Sequence, residues 1–379
     1  MIKIGINARA LQARPTGVAK YILNSILNLK TANGKNDNDY MLFFGSDRPV
    51  PEAILNAGFK YDIPKMSTHN QILKLLWAQA YLPFATRRHK LDLFHEYSLV
   101  SPAVKRCRTV LTVYDIAPLY LPDCYTYATR LYLKSLLPRS IRQADRIIAI
   151  SKNSKDDLIR HFKVTPDKIE VVHAGVDETF RPIHDRCELE RIKKIYNIRG
   201  DFILAVSLIS PRKNLTRLIK AFKVLKDQKK TDGQLVIVGR KAWLYEEVFR
   251  EAVSSGLEKD IVFCGHIPDE HLVCMYSAAS VFAYPSLYEG FGLPILEAMA
   301  CGAPVVASNI SSIPEVCGQA ALLVDPYSIE ELARALDSVI NNPGLRQDLI
   351  RKGLEQASRF SWKKTSEDTL AVYEKAMSR

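Results

Sequence analysis

Short apolar segments alternate along the chain with longer segments in which apolar residues recur at helical spacing. The short segments, bounded by turn-forming residues, predict buried parallel strands. The first series of predicted strands comprises residues 2–7, 41–44, 91–94, 109–113, 146–150 and 169–172. A second series comprises 202–206, 234–238, 261–263, 281–284, 304–307 and 321–324, with helices such as 214–226 and 329–340 between the strands. This alternation predicts an α/β fold built on two doubly wound parallel sheets.

The length of the chain supports a division into two domains. At 379 residues it exceeds the size at which a single hydrophobic core usually stops growing. The charged stretch 181–200 separates the two series of predicted strands. We therefore predict a first domain over residues 1–183 and a second over residues 184–362.

The most informative local pattern lies at residues 288–300, which read YEGFGLPILEAMA. Gly290 and Gly292 predict a turn that needs unusual backbone angles, and Pro294 predicts the first residue of a helix. The free N–H groups and the positive end of such a helix favour a phosphate, and glycines let that phosphate approach the backbone. We expect an anion site at this turn.

Two carboxylates flank the turn. Glu289 precedes it, and Glu297 lies about one helical turn after Pro294. Because a carboxylate is a poor partner for phosphate, we expect Glu297 to accept hydrogen bonds from two neighbouring hydroxyl groups, as on a ribose. Glu289 could do the same for a sugar. Two glutamates at this spacing are more often ordinary solvated residues, so the glycines and Pro294 are what favour a binding site.

Two further segments could meet an anion. Arg212 and Lys213 follow the strand predicted at 202–206, where two cations can neutralise a diphosphate leaving group. Thr16-Gly17-Val18 lies between the first predicted strand and a helix that begins near residue 19, so its backbone N–H groups could meet a phosphate or a sugar. Surface cations and plain turns are common, and neither segment is specific by itself.

Taken together, these segments resemble the retaining glycosyltransferases of family 4, whose E-x7-E signature matches Glu289 to Glu297. Five further matches come in the order expected for that family, namely residues 16–18 (TGV), 144–151 (ADRIIAIS), 173–177 (HAGVD), 210–214 (SPRKN) and 235–239 (LVIVG). The chain departs from the usual pattern at Ser207, where the family has Gly, and at Ala174, where it has Asn. The resemblance covers nearly the whole chain.

The resemblance implies the GT-B fold, in which two Rossmann-like domains face each other across a cleft. The first domain would bind the acceptor and the second the nucleotide-sugar donor, while the final helix, residues 363–379, would cross back to pack on the first domain. The implied donor-binding residues are Gly17, Val18, Arg212, Lys213, Ile267, Glu289, Gly290, Phe291, Gly292, Leu293 and Glu297. Transfer in this family retains the anomeric configuration.

No metal or other cofactor is predicted. The cations at positions 212 and 213 and the helix start near Gly292 could stabilise the leaving phosphate without a divalent ion. Glycosyltransferases that hold a metal carry an Asp-x-Asp motif. The Asp37-Asn38-Asp39 of this chain lies in a polar stretch and reads as a surface turn.

The catalytic candidates are Asp115, His95 and Glu289. Many relatives read T-x-H-D where this chain has Thr112-Val113-Tyr114-Asp115, so Tyr114 replaces a histidine that is often assigned to the acceptor or donor-sugar side. We therefore predict that Asp115 positions the acceptor hydroxyl or accepts its proton. His95 is the second candidate, although a lone histidine is structural more often than catalytic. Glu289 is expected to hold the transferred sugar.

The net charge of +12 lies mainly in the first half of the chain. Residues 1–180 carry 26 Lys and Arg against 16 Asp and Glu, whereas residues 181–379 carry 27 against 25. In residues 70–84 and 125–142 apolar and aromatic side chains are followed by, or mixed with, Arg and Lys. These segments predict interfacial helices on an anionic membrane surface, with ordinary core packing as the alternative. Nucleic acid is not a predicted partner, because no known binding motif accompanies the charge.

The cysteines and the start of the chain bear on location. Seven cysteines form no C-x-x-C pair and no zinc spacing, which favours reduced thiols and a cytosolic setting. The first residues read as a strand and lack the apolar core of a signal peptide, and no run of 18 apolar residues occurs. We predict a cytoplasmic protein held peripherally at the inner face of the cell membrane.

The predicted reaction moves a hexosyl group from a nucleotide diphosphate sugar to a lipid-linked saccharide during synthesis of a bacterial surface polysaccharide. Mannose from GDP-mannose is favoured, and UDP-glucose or UDP-galactose is the alternative donor. A GT-B hydrolase or epimerase that acts on the nucleotide sugar itself is a second alternative. A pyridoxal-phosphate phosphorylase is disfavoured by the short chain, and a non-catalytic membrane scaffold by the intact motifs.

Overall fold

The computed structural model describes residues 2–12, 16–32, 38–68, 70–102 and 104–378. Within them, the first half of the chain contributes a sheet of seven parallel strands in the order β3-β2-β1-β4-β5-β6-β7. Its strands are β1 (Lys3–Asn7), β2 (Asp39–Phe43), β3 (Lys60–Asp62), β4 (Leu93–Glu96), β5 (Arg108–Val113), β6 (Arg146–Ala149) and β7 (Ile169–Val171). The chain therefore builds outward in one direction from β1 to β3, and in the other direction from β4 to β7.

A second parallel sheet follows, and its six strands within the described residues have the order β10-β9-β8-β11-β12-β13. They are β8 (Phe202–Val206), β9 (Gln234–Val238), β10 (Ile261–Gly265), β11 (Val281–Tyr284), β12 (Val305–Ser308) and β13 (Ala321–Val324). The two doubly wound sheets predicted from the apolar pattern are thus confirmed.

Helices connect the strands. In the first half of the chain they are α1 (Gly17–Ala32), α2 (Glu52–Asn56), α3 (Gln71–Leu76), α4 (Leu82–Arg88), α5 (Ala117–Tyr120), α6 (Tyr127–Gln143) and α7 (Lys152–Phe162), with a π-helical turn at Trp77–Tyr81. In the second half they are α8 (Arg186–Ile195), α9 (Leu215–Asp227), α10 (Glu246–Ser254), α11 (Asp269–Ala278), α12 (Leu293–Ala300), α13 (Ile313–Cys317), α14 (Ile329–Asn341), α15 (Pro343–Ala357) and α16 (Trp362–Met377). Short 3-10 turns lie at Arg9–Gln12, Pro122–Cys124, Pro166–Lys168 and Pro211–Lys213.

The sequence pattern located every strand except β3. This strand has three residues, lies at the edge of its sheet and buries only Asp62, so it has no apolar run to detect. The central strands β8, β9 and β11 are almost wholly buried, which is why continuous apolar runs gave their bounds without error.

The chain forms two compact units whose limits differ from the predicted domains 1–183 and 184–362. One unit comprises Met1–Ile116, Ala128–Gly175 and Ser361–Arg379, and the other comprises Ala117–Tyr127 and Val176–Phe360. The charged stretch 181–200, predicted as the junction, contains helix α8 of the second unit.

The segment Ala117–Tyr127, which the prediction placed in the first domain, belongs to the second unit because of its aromatic contacts. The ring of Tyr120 stacks on that of Tyr288, with 5.5 Å between centroids, and Tyr125 lies 5.5 Å from Trp243. The indole N–H of Trp243 donates a 2.5 Å hydrogen bond to the carbonyl of Cys124.

Helix α16 packs against α1 within the first unit. A Cβ atom at Gly175 would lie 2.2 Å from the backbone nitrogen of Trp362, so only glycine allows the chain to pass so close to the start of α16. The hydroxyl of Thr365 donates to the carbonyl of His173. These contacts give a structural reason for the glycine of the 173–177 motif.

The apolar segment 70–84 divides between core and surface. Trp77 and Leu82 are buried in a cluster with Phe43, which agrees with ordinary core packing. Leu75, Leu76 and Phe84 remain exposed. In the described part of the chain, no helix combines the length and the apolar character needed to span a bilayer. All seven cysteines are free thiols.

Candidate active site

The 3-10 turn Pro211–Lys213 presents two cations at the carboxyl side of β8. It ends at Asn214, whose left-handed backbone (φ 57°) redirects the chain into α9. The Asn214 amide donates to the carbonyls of Pro285 and Pro326 at 2.9 and 2.7 Å, and the N–H of Leu287 donates to the carbonyl of Arg212. These hydrogen bonds fix the turn against the loop that follows β11.

Both cations of this turn are paired with Glu289. The Arg212 guanidinium lies 2.8 Å from one carboxylate oxygen and the Lys213 ammonium 2.5 Å from the other. Burial alone would raise the pKa of Glu289, but the two cations lower it to about 2, so the carboxylate is charged at neutral pH. Lys213 also donates to the hydroxyl of Tyr284 at 2.9 Å.

The glycine turn after Glu289 leads into α12. Gly292 has φ +115° and caps the helix without a side-chain hydrogen bond, so the first backbone N–H groups of α12 are not capped by that residue. Leu293 is already helical, which places the helix start one residue before the predicted Pro294. Gly290 lies in the bend between Glu289 and Gly292. Phe291 is buried, with its ring 5.8 Å from that of Phe360.

Two serines after β12 hold the turn from behind, and the sequence reasoning missed them. The hydroxyl of Ser312 donates to the carbonyls of Glu289 and Phe291, both at 2.9 Å. The N–H of Glu289 donates to the hydroxyl of Ser311, a residue in the left-handed region. The polar run that precedes Pro314 was the available signal.

Glu297 is buried on α12, away from the cation pair. Its carboxylate accepts a 3.2 Å hydrogen bond from Tyr276, whose phenol pKa is raised by burial and by the charge of Glu297. A charged, buried carboxylate with spare acceptor capacity is suited to hydroxyl groups of a ligand. Ile267 is buried in the loop after β10.

Gly17 and Val18 belong to the first unit, at the start of α1. The hydroxyl of Thr16 accepts a hydrogen bond from the N–H of Ala19 at 3.2 Å and so caps the helix. Gly17 and Val18 are both exposed at this end. Their backbone N–H groups are therefore placed at a helix start, as the sequence predicted.

The structure argues against a catalytic role for His95. The side chain is fully buried, its Nδ1 lies 2.6 Å from the hydroxyl of Tyr373, and its Nε2 lies 2.8 Å from that of Thr112. Burial lowers the pKa of His95 to about 3. Because both ring nitrogens are used inside the fold, we assign His95 a structural role, which corrects the prediction.

The other acceptor-side candidates follow β5. Asp115 is partly exposed just beyond the end of that strand, where a side chain can reach a ligand. Tyr114 is buried, and burial raises the pKa of its phenol. A polar group that the sequence reasoning missed is Glu96, the last residue of β4, which is wholly buried beside Asn7 at the end of β1.

Among the described residues no group of three or more His, Cys, Asp or Glu is arranged to hold a metal ion. Asp37 of the predicted surface turn lies outside the described residues. Asp39 begins β2 and accepts a 2.8 Å hydrogen bond from Lys60, a pairing that occupies it on the exposed edge of the sheet.

Comparisons with known proteins agree with this geometry. The model of "Glycosyltransferase Family 4" matches residues 17–180, and that of "Glycosyl transferases group 1" matches residues 189–356. The O-antigen chain mannosyltransferase B of Escherichia coli is 30% identical over 94% of this chain and 96% of its own length. The MMP alpha-(1->4)-mannosyltransferase of Mycolicibacterium hassiacum is 32% identical over 64% of this chain and 56% of its own.

Solved structures share the fold at lower identity. A sucrose-phosphate synthase from Thermosynechococcus elongatus superposes with a TM-score of 0.80 at 19% identity, covering 100% of both chains. Anabaena HepE in complex with UDP and glucose gives 0.78 at 19% identity, covering 99% of this chain and 100% of its own. WaaG, a glycosyltransferase involved in lipopolysaccharide biosynthesis, gives 0.76 at 15% identity, covering 98% and 99%. These likenesses confirm the predicted fold class.

Proposed function

The chain belongs to glycosyltransferase family 4, and on this premise we propose that it transfers a mannosyl group from GDP-mannose to a lipid-linked saccharide. The transfer would retain the anomeric configuration and serve the synthesis of a bacterial surface polysaccharide. The similarity to an O-antigen mannosyltransferase along 94% of the chain supports this choice of sugar and pathway class.

The observation that carries the enzymatic proposal is the cluster formed by Arg212, Lys213 and Glu289. Two cations and one ionised carboxylate leave a net positive charge, at a short distance in sequence from the uncapped start of α12. When the bond between the sugar and the diphosphate breaks, negative charge develops on the leaving phosphate. Cations already fixed in place stabilise that charge without reorganisation, and no metal ion is needed for this step.

Glu289 and Glu297 have different proposed functions. Glu289 orients the two cations and offers hydrogen-bond acceptors to the hydroxyl groups of the transferred sugar. Glu297 accepts from the hydroxyl groups of the ribose, and Asp115 positions the acceptor hydroxyl or takes its proton.

A UDP-hexose is the second candidate donor, because a neighbour of known structure was solved with UDP and glucose. Thermal shift with GDP, UDP and their sugar conjugates separates the two, since only the cognate nucleotide should raise the unfolding temperature strongly. Transfer to octyl α-mannoside, followed by NMR of the product linkage, then tests the reaction. Donor consumption without any acceptor would favour a hydrolase instead, and loss of turnover in EDTA would contradict the metal-free mechanism.

We also propose peripheral binding of the first unit to the inner face of the cell membrane, through the exposed side chains of α3 and α4. Leu75, Leu76 and Phe84 are 49%, 48% and 59% exposed, and Arg87 and Arg88 follow them in the last turn of α4. Apolar side chains beside cations suit a surface of anionic lipid. Such a location would bring the enzyme to a lipid-linked acceptor.

A further inference from the structure

Polar side chains meet at the carboxyl ends of neighbouring strands in the first sheet. Asn7 is the last residue of β1, Glu96 is the last residue of β4, and Tyr114 follows β5 directly. The strand order places β1 beside β4 and β4 beside β5. The direction in which the sheet grows reverses between β1 and β4, and ligands of open α/β sheets bind at the carboxyl ends beside such a reversal.

One oxygen of Glu96 takes all the hydrogen bonds that the carboxyl group receives. Its Oε1 accepts from the amide of Asn7 at 2.7 Å, and from the N–H and hydroxyl of Ser98 at 2.7 and 2.6 Å. Its Oε2 has no partner among the described residues, although Glu96 is 0% exposed. An unsatisfied buried oxygen costs roughly 1–3 kcal/mol and requires a specific reason.

The hydroxyl of Tyr114 is a second buried polar atom for which the described residues supply no partner. The ring is held edge-on against Tyr21, with 5.6 Å between centroids. After burial and two tyrosines, the charge of Glu96 contributes to raising the pKa of Tyr114, which places the carboxylate and the phenol in the same neighbourhood. The side chain of Ser98, hydrogen-bonded to Glu96, is exposed and links this neighbourhood to the surface.

We propose that Glu96 and Tyr114 together bind one hydroxyl group of the acceptor saccharide, with Ser98 at the rim of the site. A sugar hydroxyl can donate a hydrogen bond to Glu96 Oε2 and accept one from the phenol of Tyr114, so it satisfies both atoms at once. A phosphate oxygen or a carbonyl has no proton to donate to a carboxylate. The site is a specificity device for a polyhydroxylated acceptor, and this assignment rests on the proposed function.

The test uses Glu96→Gln and Tyr114→Phe in the full-length protein. The Gln variant keeps an oxygen for Asn7 and Ser98 and replaces only the unpartnered Oε2 with an amide nitrogen. The Phe variant removes a hydroxyl on which no described residue depends. Tyr40→Phe is the matched control, since Tyr40 is a buried tyrosine on β2 of the same sheet.

Binding of octyl α-mannoside is measured by saturation-transfer NMR without donor, and the kinetic constants are then measured with GDP-mannose. Each site variant is expected to weaken acceptor binding and raise the acceptor KM about tenfold, the usual effect of one lost hydrogen bond, with the donor KM within about twofold of wild type. The control should bind like wild type. Thermal unfolding establishes that each variant is folded, and if Glu96→Gln is not, Tyr114→Phe carries the test.

Acceptor binding that is unchanged in both variants would overturn the proposal and indicate that the site holds only a water molecule. Failure of the wild type to bind the mannoside would also contradict it. Binding by the wild type without any sugar transfer would contradict the proposed function instead, because the NMR measurement requires no turnover.

Discussion

The ion pairs of Glu289 allow a prediction in which stability and catalysis respond in opposite ways. Lys213→Met removes the ammonium 2.5 Å from the carboxylate and leaves only Arg212 to neutralise it. A folded-state pKa of about 2, against an ordinary value of 4.5, corresponds to on the order of 3 kcal/mol of stability from both cations and the hydrogen bonds. We therefore expect Lys213→Met to lower the free energy of unfolding by about 1–3 kcal/mol.

The same substitution should reduce turnover by about 100-fold or more, because it removes one cation from the leaving phosphate. Adding Glu289→Gln to Lys213→Met removes the unneutralised carboxylate. The double variant should thus regain most of the lost stability but none of the turnover. Lys220→Met is the control, since Lys220 forms an exposed pair with Glu251 at 3.5 Å and should cost less than about 1 kcal/mol.

Urea unfolding followed by tryptophan fluorescence, together with assays using GDP-mannose, measures both effects. The pKa of Glu289 is lower in the folded than in the unfolded protein, so the ion pairs contribute fully above about pH 4.5 and the contribution is lost as the pH falls towards 2. The stability difference between wild type and Lys213→Met should therefore shrink below pH 4.5. Near wild-type turnover by Lys213→Met, or strictly additive stability changes in the double variant, would refute this reasoning.

Three further predictions concern other parts of the molecule. Burial raises the pKa of Glu96 to about 7 despite its hydrogen bonds, so folding favours the protonated form, and wild type should lose stability relative to Glu96→Gln as the pH rises from about 4.5 through 7; parallel unfolding temperatures between pH 5 and 8 would contradict this. Phe84→Gln should weaken sedimentation with phosphatidylglycerol vesicles about tenfold without changing the unfolding temperature, because the exposed ring contributes apolar area only at the lipid surface, and equal sedimentation would exclude α4 from the membrane contact. Tyr120→Ala removes the ring stacked on Tyr288, whose carbonyl accepts from Arg212, so the donor KM should rise several-fold while Tyr120→Phe stays near wild type; identical constants for both variants would show that the stack does not position the donor site.

Hydrogen bonds within a few residues of each other could be anticipated better than those across the fold. The glycine turn, the start of α12 and the two glutamates were readable because they lie within 13 consecutive residues with a strong local pattern. The pairing of Glu289 with Lys213 joins residues 76 positions apart, and the resemblance placed both in the donor site without specifying their contact. Ser312, which holds the same turn, lies 23 positions from Glu289 and left only a weak signal.

The sequence alone determined the strand order along the chain, the α/β class and the family, because buried parallel strands and helix starts depend on short-range patterns of apolar residues, glycine and proline. Only the tertiary structure decided the roles of single polar groups. His95 is structural because Tyr373, 278 positions away, occupies one ring nitrogen, and Glu96 is a candidate ligand because sheet topology buries it beside Asn7 with one oxygen unpaired. Burial and long-range partners set the protonation and accessibility of such groups, and neither is encoded by residue spacing.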